Sequence, residues 1–241
     1  MRNCAFADAI CRKCFRNDMC MPIVAGAWDV FGKRGRNYRS GVIGITRKRV
    51  VLPGCRRFAC QEERRVLQYR ELCEDEICRE LFDGFIRHQN VTKCWRRVDG
   101  EWVIKEDPFI DDWTEEEYQF LVKCLRNTVA TGGFVYAAFY DGVLKGFTSV
   151  EAALFGGEQR YLDLSCIHVS EDMRGKKIGR ALFLAAKDWA RGHGGRKLYI
   201  SAHSAVETQA FYSAMGCVEA ESYHQGHVEA EPYDCQLECE L

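Results

Sequence analysis

The sequence predicts an α+β fold built on one central sheet, and three features carry that prediction. Alternating apolar stretches meet at Asp99-Gly100 and again at Asp141-Gly142, dipeptides suited to tight hairpin turns. Two segments, near 114–131 and 178–191, carry apolar residues on one helical face. A β-type run of Leu162, Leu164, Ile167 and Val169 hands over, through a polar and basic segment, to the second of those helices.

Taken in order, residues 1–65 are rich in Arg, Gly and Cys and show little periodicity. Within them only Val42–Leu52 has the makings of a short hairpin. Regular patterning begins near Val66, and Val66–Leu72 reads as a strand. Glu74–His88 places Ile77, Leu81 and Phe85, with Cys78 and Phe82, on one helical face. Lys93–Val98 and Glu101–Lys105 form the arms of the first hairpin. Thr114 and Glu117 make a capping box, with Trp113 and Tyr118 as its hydrophobic staple. The helix they open buries Leu121, Cys124, Leu125 and Thr128 and ends before Gly132-Gly133. Phe134–Tyr140 and Val143–Leu154 form the second hairpin, and Arg160–Val169 is one further strand. The helix from about Ile178 to Arg191 buries Ile178, Ala181, Leu182, Ala185 and Trp189. Lys197–Ala202 is a strand, Ala205–Met215 a short helix stopped by Gly216, and residues 217–222 and 234–240 are the last strands.

Composition sets the bounds. The chain has 241 residues and is 47% hydrophobic, so it can bury a sizeable core. Its net charge of −1 conceals a division: residues 1–65 sum to +10 and the remainder to −11. The 14 cysteines are scattered, and many sit inside apolar runs, where a free thiol behaves as a small hydrophobe. The apolar run Met19–Trp28 is short, split by Pro22 and flanked by acidic residues, which argues against an export signal. No run reaches the length of a membrane span. A reduced, cytoplasmic setting is the expectation. Cys11/Cys14 and Cys55/Cys60 invite a zinc reading, but their spacing fits zinc patterns poorly. Residues 1–65 are therefore expected to be a poorly ordered basic extension without metal, ahead of a folded domain over 66–241.

The chemistry concentrates at the strand-to-helix handover, "HVSEDMRGKKIGRALF". The first N–H groups of a helix lack intrahelical partners, and with the helix dipole they attract anions. Gly175 and Gly179 let such a group approach the backbone. Arg174, Lys176, Lys177 and Arg180 add positive charge in an otherwise acidic domain. The residues suit a phosphate-bearing ligand, although the spacing is that of neither a dinucleotide fingerprint nor a P-loop.

In this arrangement the chain resembles the GNAT family of N-acetyltransferases, whose cofactor loop reads Arg/Gln-x-x-Gly-x-Gly/Ala. Arg174 and Gly179 match its ends, and Lys177 stands where the family has its middle glycine. The preceding strand "LDLSCIHV", the following helix "IGRALFLAAKDWA", and Phe211-Tyr212 ahead of Gly216-Cys217 complete the likeness, which covers residues 67–241. The resemblance implies a central mixed, mostly antiparallel sheet with helices on both faces. It implies acetyl-CoA as co-substrate, its pyrophosphate on Arg174, Gly175, Lys176, Lys177, Ile178, Gly179 and Arg180. Its pantetheine would pair with backbone at Ile167 and Val169, with His168 between them facing the other side of the strand. Tyr212 would be the general acid for the leaving thiolate. Asp163 and Glu151 compete as base, beside a water relay or no dedicated base.

The acceptor implied is a small-molecule or peptide amine, bound by the N-terminal helices, the Trp95/Trp102 hairpin and the late strands. If the acidic tail (Glu229, Glu231, Asp234, Glu238, Glu240) rims that pocket, a cationic acceptor is favoured. A homodimer stays open, and a membrane partner is not expected. Two rival readings remain at this point: a non-catalytic acyl-CoA-binding module, and a nucleic-acid-associated protein using the basic N-terminal region. That region lacks interleaved aromatic platforms, which disfavours nucleic acid.

Overall fold

The structure, a computed structural model, describes residues 66–241. The expectations for Val42–Leu52, for the two cysteine pairs and for the basic extension lie outside the described residues.

Among the described residues ten strands and four α-helices follow one another as β1 (Leu67–Glu71), β2 (His88–Val98), β3 (Glu101–Asp112), α1 (Glu115–Ala130), β4 (Phe134–Tyr140), β5 (Val143–Val150), β6 (Tyr161–Asp163), β7 (Cys166–Val169), α2 (Ile178–Gly192), β8 (Lys197–Ala202), α3 (Val206–Ala214), β9 (Val218–Glu219), α4 (Gln225–Ala230) and β10 (Cys235–Glu240). Both hairpins turn where predicted, with Asp99, Gly100, Asp141 and Gly142 all at positive φ. The capping box of α1 is formed: Thr114 Oγ1 accepts from the Glu117 N–H at 3.3 Å, and Glu117 Oε2 accepts from the Thr114 N–H at 2.5 Å. Trp113 and Tyr118 meet edge to face at 5.3 Å, completing the staple.

The α+β class holds, but the single central sheet is parted in two. One four-stranded sheet runs β1-β4-β5-β7, wholly antiparallel, and the other runs β6-β8-β10-β9 with β6 parallel to β8. The predicted strand Arg160–Val169 is where they part. Leu164 donates its N–H to Tyr199 O at 2.9 Å in the second sheet. Its neighbour Ser165 donates to Ser149 O at 3.1 Å in the first. The chain thus changes sheets between consecutive residues, and one predicted strand becomes β6 and β7.

Helices cover both faces. Leu121 and Leu125 of α1 pack on Val135, Ala137 and Phe147. On the opposite face Ile178 and Leu182 of α2 pack on Ala138, while Phe183, Ala186 and Ala190 pack on Leu198, Ile200 and Leu237 of the second sheet. Helix α2 therefore spans the divide and holds the two sheets in register with each other.

Other expectations are corrected. Glu74–His88 is not a helix but two 3₁₀ turns, Glu74–Glu76 and Arg79–Phe82, with His88 already in β2. Glu76 closes the first turn on the Cys73 N–H at 3.0 Å, and Arg126 of α1 reaches the carbonyls of Glu74 and Ile77 at 3.5 Å. Those tertiary contacts satisfy the backbone without a helical ladder. The last strands are shorter than expected at Val218–Glu219, and the unpredicted α4 lies between them and β10.

Among the described residues no cysteine is in a disulfide, and Cys94, Cys124, Cys217, Cys235 and Cys239 are buried. Among the described residues no helix is long and apolar enough to cross a membrane.

Candidate active site

The parting of the sheets leaves one edge of β7 without a strand partner among the described residues. Ser170 donates its N–H to Lys145 O at 2.9 Å, and Phe147 stands opposite His168. In an antiparallel ladder this turns the amides of Cys166 and His168 toward β5 and those of Ile167 and Val169 toward the gap. A cleft of about 730 Å³ occupies that gap. Across it lie Ser201, Ala202 and His203 from the end of β8, beyond the last residue that pairs with β6.

One end of the cleft is the N-terminus of α2. Lys177 is its N-cap, at φ +64 with no side-chain cap, and no acidic residue occupies the first turn. The first N–H groups of α2 are therefore open to an anion. Lys177 sits in the left-handed region where a glycine is usual, so the turn keeps its shape although the residue differs. Gly175 has φ +75. Arg174, Gly175, Lys177, Ile178, Gly179 and Arg180 all line the cleft. Lys176 does not; its Nζ donates to Asp172 O at 3.0 Å. A Cβ on Gly179 would stand 3.2 Å from the Phe211 ring, which explains the close fit of α2 against α3.

The two candidate carboxylates separate. Glu151 lines the cleft, and its Oε1 accepts from Thr128 Oγ1 at 2.7 Å and from Ser165 Oγ at 2.8 Å. Burial pushes its carboxyl above the ordinary range against those hydrogen bonds, with the charge of Asp163 adding to the rise. Asp163 does not line the cleft, and its Oδ2 lies 3.0 Å from His227 Nε2 of α4. Tyr212 lines the cleft from α3, 6% exposed, and burial raises its hydroxyl pKa so that it stays protonated. His168 also lines it, its ring edge-on to Trp113 at 4.7 Å on the α1 side of the sheet, away from α2.

On the acceptor side the hairpin contributes its base, Gln89, Asn90 and Asp111, not its tryptophans. Trp95 and Trp102 pack against α3 and β10 beside a separate cavity. The acidic tail divides: Glu231 and Asp234 line the cleft, whereas Glu238 is buried with Lys197. Arg87 lines the cleft too, ion-paired with Asp111. His203 accepts the Ala205 N–H at Nδ1, 3.2 Å away, and burial lowers its pKa. Arg87, Asp111, Thr128, Ser149 and Ser165 carried no motif in the sequence. A polar residue recurring inside an otherwise buried strand or helix face was their one visible mark.

The sequence matches the Acetyltransferase (GNAT) family over residues 95–217, just over half of the chain. The chain belongs to the GNAT acetyltransferase family. Membership brings the general class of chemistry, acyl transfer from acetyl-CoA. Solved acetyltransferase structures share the fold. Nourseothricin acetyltransferase superposes with a TM-score of 0.51 at 18% identity, over 71% of this chain and 95% of its own. A putative streptothricin acetyltransferase from Bacillus anthracis str. Ames, in complex with acetyl coenzyme A, gives 0.53 at 14% identity, over 73% and 99%. No curated protein matches the sequence.

Proposed function

We propose that this GNAT protein is an N-acetyltransferase that moves an acetyl group from acetyl-CoA to a primary amine, by direct attack within a ternary complex. The observation that carries the reading is the single cleft that joins an unpaired strand edge, an uncapped helix N-terminus, a carboxylate and a protonated tyrosine. The residues fit acetyl-CoA in kind. Arg174, Lys177, Arg180 and the first N–H groups of α2 suit its pyrophosphate. The outward amides of Ile167 and Val169 suit its pantetheine.

The acceptor approaches from the β2–β3 side. Its ammonium is drawn by Glu207, Glu231 and Asp234, while Asp111 is already paired with Arg87, and this favours a cationic acceptor. The ammonium gives one proton to solvent, the neutral nitrogen attacks the thioester carbon, and Glu151 takes a second proton from that nitrogen as the C–N bond forms. The C–S bond breaks, and Tyr212 protonates the leaving sulfur. Between the two candidate bases Glu151 is preferred, because Asp163 is held by His227 outside the cleft. The experiment is a panel of amines (spermidine, an aminoglycoside and a lysine-rich peptide) with acetyl-CoA, read by thiol release. Binding of acetyl-CoA without thiol release from any of them would leave a non-catalytic acyl-CoA-binding module.

Gly179→Glu places a carboxylate among the groups assigned to the pyrophosphate and crowds Phe211. Calorimetry is expected to show acetyl-CoA affinity down by more than about tenfold, since one unfavourable charge contact exceeds 1.4 kcal/mol there. Unchanged affinity in the folded variant would remove the phosphate assignment.

Residues 66–241 are proposed as the folded catalytic unit. Val66 opens it, its N–H donating to Asp141 Oδ1 at 3.0 Å. A chain beginning at Val66 is expected to fold and bind acetyl-CoA as the full chain does. An unfolded truncation, or stoichiometric zinc in the full-length protein, would overturn that boundary.

A further inference from the structure

The cleft walls carry a line of hydroxyls that the mechanism above leaves unused. Ser149 Oγ lies 2.8 Å from Ser165 Oγ. Ser165 Oγ lies 2.8 Å from Glu151 Oε1, and Thr128 Oγ1 lies 2.7 Å from the same oxygen. All four residues line the cleft. They come from α1, from the end of β5, and from the residue at which the chain changes sheets.

Each hydroxyl has one proton to donate, and this sets the direction of the line. With Glu151 ionised, Oε1 accepts from both Ser165 and Thr128. Thr128 then gives up its other acceptor, the Cys124 carbonyl 3.0 Å away. Ser165 has committed its proton to Glu151, so Ser149 must be the donor in the contact between the serines. Ser149 lines the cleft as a buried wall residue, 0% exposed, and is left with lone pairs alone, which makes it an acceptor for an N–H pressed against that wall.

We propose that Glu151 receives the acceptor's proton through Ser149 and Ser165, with Thr128 as a positioning residue that holds the carboxylate. This rests on the acetyltransferase reading above. As the nitrogen bonds to the thioester carbon, its N–H bond breaks toward Ser149 Oγ. The proton of Ser149 passes to Ser165, and that of Ser165 to Glu151 Oε1. One proton leaves nitrogen, one arrives at the carboxylate, and both serines end neutral. The rise in the Glu151 pKa from burial suits it to hold that proton nearer neutral pH. The titratable groups around it are Asp163 from β6 and the cleft-lining thiols of Cys124 on α1 and Cys166 on β7.

The test uses the full chain, acetyl-CoA and the best acceptor of the amine panel. Ser149→Ala is expected to lower kcat by about 10²-fold, the low end for a lost proton-transfer group, with acetyl-CoA affinity by calorimetry unchanged. In mixtures of light and heavy water the wild-type rate should curve with deuterium fraction, and the variant should lose the curvature. Should Ser149→Ala misfold, Ser165→Ala breaks the line one link further on and carries the same expectation. Adding Ser149→Ala to Glu151→Gln is expected to cost nothing more, because residues acting as a unit are not additive. Thr128→Val removes a donor to the carboxylate and raises its pKa. The base works ionised, so the acid limb of kcat should move to higher pH. Wild-type kcat in a folded Ser149→Ala, or full additivity with Glu151→Gln, would discard the relay and leave the acetyltransferase reading standing. A wild type that releases no thiol with any amine would discard both.

Discussion

Tyr212→Phe is expected to lower kcat by about 10²–10⁴, the usual worth of a positioned general acid. The ring sits 6.3 Å from Phe183 and 5.2 Å from Phe211, edge-on to both. Phenylalanine keeps those contacts, so folding and acetyl-CoA affinity should survive. The hydroxyl matters only as charge develops on the departing sulfur, and an interaction of that kind appears in kcat and not in cofactor affinity. Burial raises the tyrosine pKa above its ordinary value, so the acid keeps its proton throughout the neutral range. The loss should therefore be constant with pH there. Single-turnover kinetics check it, and a Phe variant with wild-type kcat would leave Tyr212 as a packing aromatic and water as the proton source.

The second large effect is on stability. Glu238 and Lys197 are 4% and 8% exposed, with Oε1 and Nζ 2.6 Å apart. The Tyr161 hydroxyl and the Glu221 N–H donate to the other carboxylate oxygen. Glu238→Ala strands a buried ammonium and a buried phenol, and is expected to cost about 3 kcal/mol, the lower end for a broken buried pair. The lower end applies because Glu240 and Glu221 stand 3.4 and 3.5 Å from Lys197 Nζ and compensate in part. Urea unfolding measures it. The difference between wild type and variant has a pH signature. Burial pushes the Glu238 pKa up, but Lys197, Tyr161 and the Glu221 N–H outweigh it, and the net shift is downward. A carboxyl with a depressed folded pKa contributes its stability above the unfolded value, about 4.3, and loses it as pH falls through the folded value. The gap should be full at neutral pH and close in strong acid. A variant as stable as wild type at pH 7 would show that the pair contributes nothing net.

Much of this was legible in the sequence because it is local. Asp-Gly turns demand positive φ, a Thr/Glu pair caps its own helix, and one-face apolar spacing names a buried stripe. The 174–180 loop was legible the same way, since strand, turn and helix order its residues within a short stretch, whereas Tyr212 was singled out by the resemblance to the GNAT family. The segment Glu74–His88 fails that logic. Its apolar spacing fits a helix, but the Glu74 carbonyl accepts the Ile77 N–H in a 3₁₀ turn, and Arg126, far along the chain, reaches that carbonyl and the one of Ile77.

The sequence by itself determined most of the element types, the α+β class and the turn that opens α2, since each follows from backbone preferences and spacing over a few turns. Tertiary structure alone decided where the sheet opens, because the switch from Tyr199 to Ser149 as hydrogen-bond partner at Leu164 and Ser165 involves strands distant in sequence. It also set Glu151 and Asp163 apart. Both are strand carboxylates with apolar neighbours, and only the packing of α4 against Asp163 and of α1 against Glu151 sets one on an imidazole and the other in the cleft.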